Sequence, residues 1–362
     1  MKKVVLRGPC VSASGYGTHA RQLARYLISR NDIDLVVQLT PWGNTPWYLD
    51  AAACDGLIGE IQKRSRDDKG PFDVSFQVQL PNEWTPGLAK RDVGVTAVVE
   101  TSTCNPSWVA NCNTMHRVVV PSMFSKGVLQ RSGDLASDRV IVVPESFPDA
   151  ITRGATSAIT FDTNFNFLTV GQLTARTPET DRKNLFNLMK WFCETFKGRS
   201  DVGLIVKTNS GRETRIDRKI TLDLFKQALS HFRKGVFPHI HLIHGSLTDD
   251  EMASLYKHPA VRAFVSLSRG EGFGLPLLEA AASGLPVIAT NWSGHLDFLG
   301  LGKFIKVDFD MAQIDQGRVD GSIFMEGAKW AEPIEHDAKR KMLRFTERPD
   351  VPASWARELS PL

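Results

Sequence analysis

The chain has 362 residues, 42% hydrophobic and 23% charged, with a formal net charge of +4. That composition suits a soluble globular protein of two ordinary domains and excludes disordered and fibrous classes. No apolar run of about 18 residues occurs, which excludes a membrane-spanning helix, and the opening Met1 to Pro9 reads as a first strand rather than a secretory leader. Five cysteines (Cys10, Cys54, Cys104, Cys112 and Cys193) lack metal-ligand spacing and imply mostly buried thiols in a reducing, cytoplasmic setting. Mild basicity fits anionic ligands without arguing for nucleic acid.

Lys3 to Leu6 is a predicted strand, followed by a loop containing Gly15 and Gly17 and a helix from Thr18 to Ser29 with apolar Ala20, Leu23, Ala24 and Leu27 on one face. Gly15-Tyr16-Gly17-Thr18-His19-Ala20 fits G-x-G-x-x-A, yet its first glycine comes late after the strand. The second strand, Ile33 to Leu39, also lacks an acid at its carboxyl end, so nicotinamide binding is rejected. Trp42, Trp47 and Tyr48 are either rim aromatics for an acceptor or core residues. Lys63 to Lys69 is a solvated charge run. Strands are predicted at Phe72 to Gln79, Val93 to Val99, Arg117 to Val120 and Val140 to Val143, with a helix reaching Ser132. Pro148 to Asn164 is polar and aperiodic, and the hinge is placed there.

A second series of elements starts at Phe165 to Val170. It continues with a helix through Leu185, Leu188, Met189 and Phe192, a strand at Val202 to Lys207, and a solvated basic insertion at 211–219. A strand at Ile240 to His244 and a helix at Asp249 to Tyr256 capped by Thr248 follow. Residues 261–299 then form the most informative stretch. Val261 to Ser268 and Leu285 to Thr290 read as buried parallel strands; between them Pro276 suits a first helical position and Gly284 a left-handed helix end. The loop Arg269 to Leu275 thus leaves a strand's carboxyl end and enters a helix N-terminus, where free N–H groups favour an anion. Ligands of open α/β sheets sit at such ends. Glu271 and Glu279 frame the site with seven residues between them, and Gly270, Gly272 and Gly274 allow close backbone approach. Carboxylates beside an anion site suit hydroxyls better than bare phosphate, so a sugar and a ribose joined by a diphosphate satisfy all three features.

Glu271-Gly272-Phe273-Gly274-Leu275-Pro276-Leu277-Leu278-Glu279 resembles the E-x7-E signature of retaining GT-B glycosyltransferases, especially family 4. The resemblance implies an α/β, GT-B architecture: two Rossmann-like domains with parallel sheets facing an interdomain cleft. The domains implied are 1–150 on the acceptor side and 151–335 holding the nucleotide sugar, with 336–362 returning to the first. It implies transfer of a hexose or pentose from a nucleoside-diphosphate sugar to an acceptor hydroxyl with retention, without cofactor or metal. Asp308-Phe309-Asp310, a D-x-D pattern, is discounted on that basis. By the same resemblance Glu279 takes the ribose and Glu271 the donor sugar. The N–H groups of Phe273, Gly274 and Leu275 take the diphosphate with Lys183, Gly272 belongs to the same donor-binding loop, and Ser246 and Leu247 line the base. Gly15 and Gly17 approach the diphosphate and sugar, and Lys207 lies on the ligand side of its strand. The family pattern places an arginine after Gly171, where this chain has Gln172; Arg176 or Arg182 restores the charge, and the sequence does not choose. Where many family 4 enzymes have a cleft histidine, near the end of the strand at 93–99, this chain departs with Glu100, as an acceptor-side carboxylate or a structural one. His295 is read as catalytic or structural. The acceptor stays open among glycan, lipid-linked glycan, protein and modified nucleic acid, and peripheral membrane contact is compatible. Two rival readings are a sugar-nucleotide epimerase of the same fold and a non-catalytic sugar- or nucleotide-binding module.

Overall fold

The computed structural model describes residues 1–136, 138–153 and 159–359. They divide into two compact units: Met1–Ser146 with Val319–Ala328, and a second from Phe147 to Arg318 that resumes at Lys329. In the first unit the order is β1 (Lys2–Gly8), α1 (Gly15–Ile28), β2 (Ile33–Leu39), α2 (Leu57–Arg64) and β3 (Val74–Val78). It continues with β4 (Arg91–Val95), α3 (Pro106–Thr114), β5 (Arg117–Val120), α4 (Met123–Ser132) and β6 (Val140–Val142). The second unit begins with β7 (Phe165–Val170), α5 (Leu185–Thr195), β8 (Val202–Thr208), α6 (Arg215–Phe232), β9 (His239–His244) and α7 (Asp249–Tyr256). Then come β10 (Val261–Ser266), α8 (Leu275–Ala282), β11 (Val287–Thr290), α9 (Leu296–Leu299) and β12 (Ile305–Val307), and finally β13 (Phe309–Gln313), β14 (Lys329–Pro333), α10 (Glu335–Glu347) and α11 (Asp350–Leu359).

Among the described residues each unit holds a six-stranded sheet, ordered β2-β1-β3-β4-β5-β6 and β12-β11-β10-β7-β8-β9, and β13 and β14 form a separate antiparallel pair. Every pairing in the two large sheets is parallel. The reason lies in the strands themselves: Val202–Thr208 is buried along its whole length, so it needs cover on both faces, which helical crossovers supply. On one face of the second sheet Phe167 packs with Phe192, Phe196 and Phe345; on the other Phe264 and Leu168 pack with Tyr256 and Leu277.

Three sequence expectations need correction. The glycines at 15 and 17 lie not in a loop but in the first turn of α1, because Ser14 accepts the Gly17 N–H and caps the helix one turn earlier. Residues 215–219 are no insertion but the start of α6. A reciprocal Thr214–Asp217 capping box begins that helix, and its only buried residues, Thr221 and Phe225, lie beyond the basic run, so periodicity failed there. After β11 the chain turns through Asn291 to His295 into the short helix α9, which Leu296 and Asp297 begin. Finally, α10 and the described part of the tail belong to the second unit, not the first. Phe345 sits edge-on to Phe167 at 5.6 Å and to Phe165 at 5.8 Å, with Ala338 and Met342 buried beside it. The connection expected at Pro148 to Asn164 lies partly, at 154–158, outside the described residues; before that gap Ala150 and Ile151 are buried in the second unit's core.

The two early glycines differ in what they face. A Cβ on Gly17 would stand 2.0 Å from the Ser12 carbonyl oxygen, whereas one on Gly15 would meet nothing within 4 Å. Arg21 fixes that Ser12 carbonyl by donating to it at 2.7 Å and to the Cys10 carbonyl at 3.2 Å. Gly17→Ala is therefore expected to cost about 2 kcal/mol by overpacking, and Gly15→Ala less than about 0.5 kcal/mol, as for exposed sites. Urea denaturation of the two variants reads the difference.

Candidate functional site in the second unit

The site is built where β7, β8 and β10 end. Gly274 adopts φ +100°, a left-handed conformation, and caps α8, with Leu275 and Pro276 as the first helical residues. At the other end Gly284 has φ +80° and its N–H donates to the Ala281 carbonyl, closing the helix as the sequence predicts. The N–H groups of Phe273, Gly274 and Leu275 donate to no described residue, so the positive end of α8 is open to an anion.

Glu271 is buried, 5% exposed. Lys183 Nζ donates to both its oxygens at 2.7 Å, and Arg182 Nη1 lies 3.6 Å from Oε2 while also donating to the Gly270 carbonyl. Burial alone would raise the Glu271 carboxyl, but the Lys183 ammonium and the Arg182 guanidinium outweigh it and hold it down at about 2. The backbone is fixed too: Glu271 N–H donates to Ser293 Oγ at 2.9 Å, and Gly294 N–H to the Glu271 carbonyl at 2.9 Å.

Glu279 behaves oppositely. It is partly buried on α8, accepts from the Tyr256 hydroxyl at 2.9 Å, and is pushed up to about 7. Burial leads that rise and Asp249 adds to it, while the Tyr256 bond and Lys207 resist. Lys207, at the end of β8, donates to Asn209 Oδ1 at 2.7 Å; burial lowers its pKa, against the pull of Glu213 and Glu279. Two carboxylates eight positions apart thus sit in contrasting electrostatic settings, one ionised and one poised near neutrality.

The other sequence candidates scatter. Lys183, expected at the diphosphate, is paired here with Glu271, two buried opposite charges that neutralise each other. Of the two arginines left open, Arg182 joins Glu271, while Arg176 and Gln172 are exposed on the β7–α5 loop. Ser246 donates to Glu213 at 2.7 Å, and Leu247 packs against the apolar core under α7 rather than standing wholly open. Gly15, Gly17 and Glu100 lie in the first unit. His295 is 1% exposed, with Nε2 2.8 Å from the Thr290 carbonyl; burial lowers its pKa, and it supports the Glu271–Gly274 loop. Asp310 faces Glu332 across the β13–β14 pair.

Sequence reasoning missed Arg269. Its guanidinium makes a bidentate pair with Glu332 at 2.6 and 2.9 Å, donates to the carbonyls of Pro178, Glu179 and Asp181, and lies 5.1 Å over the Trp330 ring. Asp181, fully buried, accepts from Thr174 and from the Leu185 N–H, which orders the segment presenting Arg182 and Lys183. Nothing local marks these roles, since the partners lie far apart in sequence.

Removing the ammonium while keeping most of the stem tests the pair. Lys183→Met is expected to destabilise the protein by about 3 kcal/mol, the low end for a buried charge losing its partner, because Arg182 remains. Denaturant titration should show that loss. It should shrink in Lys183→Met/Glu271→Gln, which removes both charges.

Residues 234–316 match the family model described as "Glycosyl transferases group 1". A sucrose synthase from Melioribacter roseus is 33% identical over 125 residues, which is 33% of this chain and 16% of the relative, so the chain spans about a sixth of that curated relative. Among solved structures, a sucrose-phosphate synthase from Thermosynechococcus elongatus has a TM-score of 0.60 at 14% identity, covering 100% of this chain and 94% of its own. The apo structure of OtsA gives 0.61 at 9% identity, covering 100% and 95%. The lipopolysaccharide outer core galactosyltransferase WaaB gives 0.54 at 13%, covering 99% and 95%. The chain thus has the GT-B fold of two parallel-sheet α/β domains, and residues 234–316 in its second domain match the glycosyltransferase group 1 family.

Proposed function

We propose that the protein transfers a hexose or pentose from a nucleoside-diphosphate sugar to an acceptor hydroxyl with retention of configuration, in the manner of family 4. The observation that carries this reading is the buried Glu271 carboxylate, held ionised by Lys183 and Arg182 beside the open N–H groups of Phe273, Gly274 and Leu275. A diphosphate at that helix end takes Lys183 from Glu271, and Glu271 then accepts hydroxyls of the donor sugar. Glu279 accepts from the ribose. As the bond to the sugar breaks, negative charge grows on the leaving diphosphate, where one well-placed donor or cation is worth about 3 kcal/mol. Charge growing on the sugar is met by Glu271. In this reading the acceptor proton passes to the leaving phosphate, no metal or cofactor takes part, and the enzyme works in the cytoplasm. Glu100 is assigned to the acceptor side, and the acceptor is a hydroxyl of a glycan, lipid-linked glycan, protein or modified nucleic acid.

Turnover of UDP-, GDP-, ADP- and TDP-sugars, followed by release of nucleoside diphosphate, tests the reading. One donor is expected to be consumed. In Glu271→Gln the rate should fall by about a hundredfold or more, as for loss of a single electrostatic stabiliser, while nucleoside diphosphate binding persists because Lys183 is freed. Proton NMR of the product's anomeric centre reads retention. An isomerised donor without release would establish the epimerase instead. Absence of any turnover or binding would sink the transferase.

Glu279 gives a pH signature. With its carboxyl at about 7, most molecules carry the neutral acid at pH 6. Ribose hydroxyls bind best to the ionised form, so binding releases a proton and affinity rises with pH. The expected gain is about tenfold between pH 6 and 8. Calorimetry with the nucleoside diphosphate should show it, referenced to Glu279→Gln, which retains only the ligand's own phosphate ionisation.

A further inference from the structure

Polar side chains that this donor chemistry leaves unused collect at one edge of the first unit. Its sheet is all-parallel, so the residues just after each strand share that carboxyl edge. His19, on the first turns of α1, is 9% exposed, and neither ring nitrogen hydrogen-bonds to a described residue. Its Nδ1 stands 3.7 Å from Oε1 of Glu145, whose side chain is 6% exposed and follows β6. That separation is too long for a direct bond, yet an oxygen about 2.8 Å from each atom fits it. Gln79, just past β3, is 8% exposed, and its amide oxygen accepts from no described residue. Tyr16, one turn before His19, donates or accepts at Thr96 at 2.8 Å, feels the charges of Glu100 and Glu145, and stacks on Trp42 with ring centroids 3.9 Å apart. Buried polar atoms without partners are rare in native folds and mark places where something else supplies the bond.

We infer that His19 and Glu145 form a hydroxyl-binding site in the first unit, taking two neighbouring hydroxyls of a neutral sugar that serves as the acceptor. The acceptor role rests on the transferase reading; the sugar site itself does not. Burial pushes His19 down to about 4, so the imidazole is neutral at physiological pH and offers one donor and one acceptor. A carboxylate beside it accepts a second hydroxyl. This complement matches a diol and repels a phosphate, which separates the site from the donor end. The flat Tyr16–Trp42 stack supplies an apolar wall for a sugar's C–H face.

The test uses the whole protein and four neutral probes: fructose, glucose, mannose and glycerol. In the wild type, one of the three sugars is expected to shift the His19 imidazole signals in long-range proton–nitrogen NMR spectra, assigned by their loss in His19→Gln. Calorimetric affinity for that sugar should fall at least tenfold in Glu145→Gln and in His19→Gln, with nucleoside diphosphate affinity unchanged. If no sugar moves the His19 signals, or if binding survives within twofold in both variants, the site is wrong. If a donor is turned over and His19 stays silent, only this inference fails. A sugar at His19 with no donor consumed leaves the site standing and removes the transferase.

Discussion

The buried Glu271 carboxylate is the constraint on which the second unit's site depends. A charge removed from water must be neutralised on the spot, or it gives up its proton state. Here two cations come from the β7–α5 loop to meet one anion from the β10–α8 loop. Arg269 clamps the loops together. From the Glu271 side it reaches the carbonyls of Pro178, Glu179 and Asp181, and with its other edge it holds Glu332 on β14. Three sequence-distant segments are thereby fixed around one carboxylate. The left-handed Gly274 then turns the chain into α8 within three residues of it.

That arrangement explains why two glutamates of one motif differ. Glu271 pays its desolvation back with two cations. Glu279 lies on the helix, where Tyr256 donates to it and Lys207 lends only a distant charge, so burial dominates and the carboxyl stays partly protonated near neutrality. A group ionised under all ordinary conditions suits a role in charge stabilisation. One poised near 7 suits a contact formed and broken by ligand hydroxyls. The same side-chain type at both ends of a short motif is thus given different charge states by its surroundings alone.

Much of the fold was legible because its signals are local. Strands such as β2, β5 and β7 appear at the predicted residues since each is a short apolar run, and α7 begins at the predicted Thr248 cap. Gly284 and Pro276 mark the ends of α8 by backbone geometry that few other residues accept. What failed was long-range. No pattern near 336–347 says that Phe345 will join Phe165 and Phe167, and α6 hides its start because its basic first turns bury nothing. Within the site, Glu271 and Glu279 were readable from the motif. The pairing of Lys183 with Glu271, 88 positions apart, and the clamp by Arg269 were not. Gly15 and Gly17 looked equivalent in sequence, yet only Gly17 is forced by a neighbouring carbonyl.

In the proposed transferase the Lys183–Glu271 pair also sets what can bind. A ligand that takes Lys183 without offering anything to Glu271 leaves that carboxylate buried with Arg182 alone, at a cost that a nucleoside diphosphate offsets through its ribose contact to Glu279 and that bare phosphate has no means to offset. A free sugar offers hydroxyls to Glu271 but no anion for Lys183, so the existing pair wins and the sugar stays out. Only a molecule carrying an anion and hydroxyls on one frame satisfies both partners when they separate. In the transferase proposed above, selectivity for a sugar joined to a diphosphate follows from the requirement that no buried charge be left alone, before any contact with the base is considered.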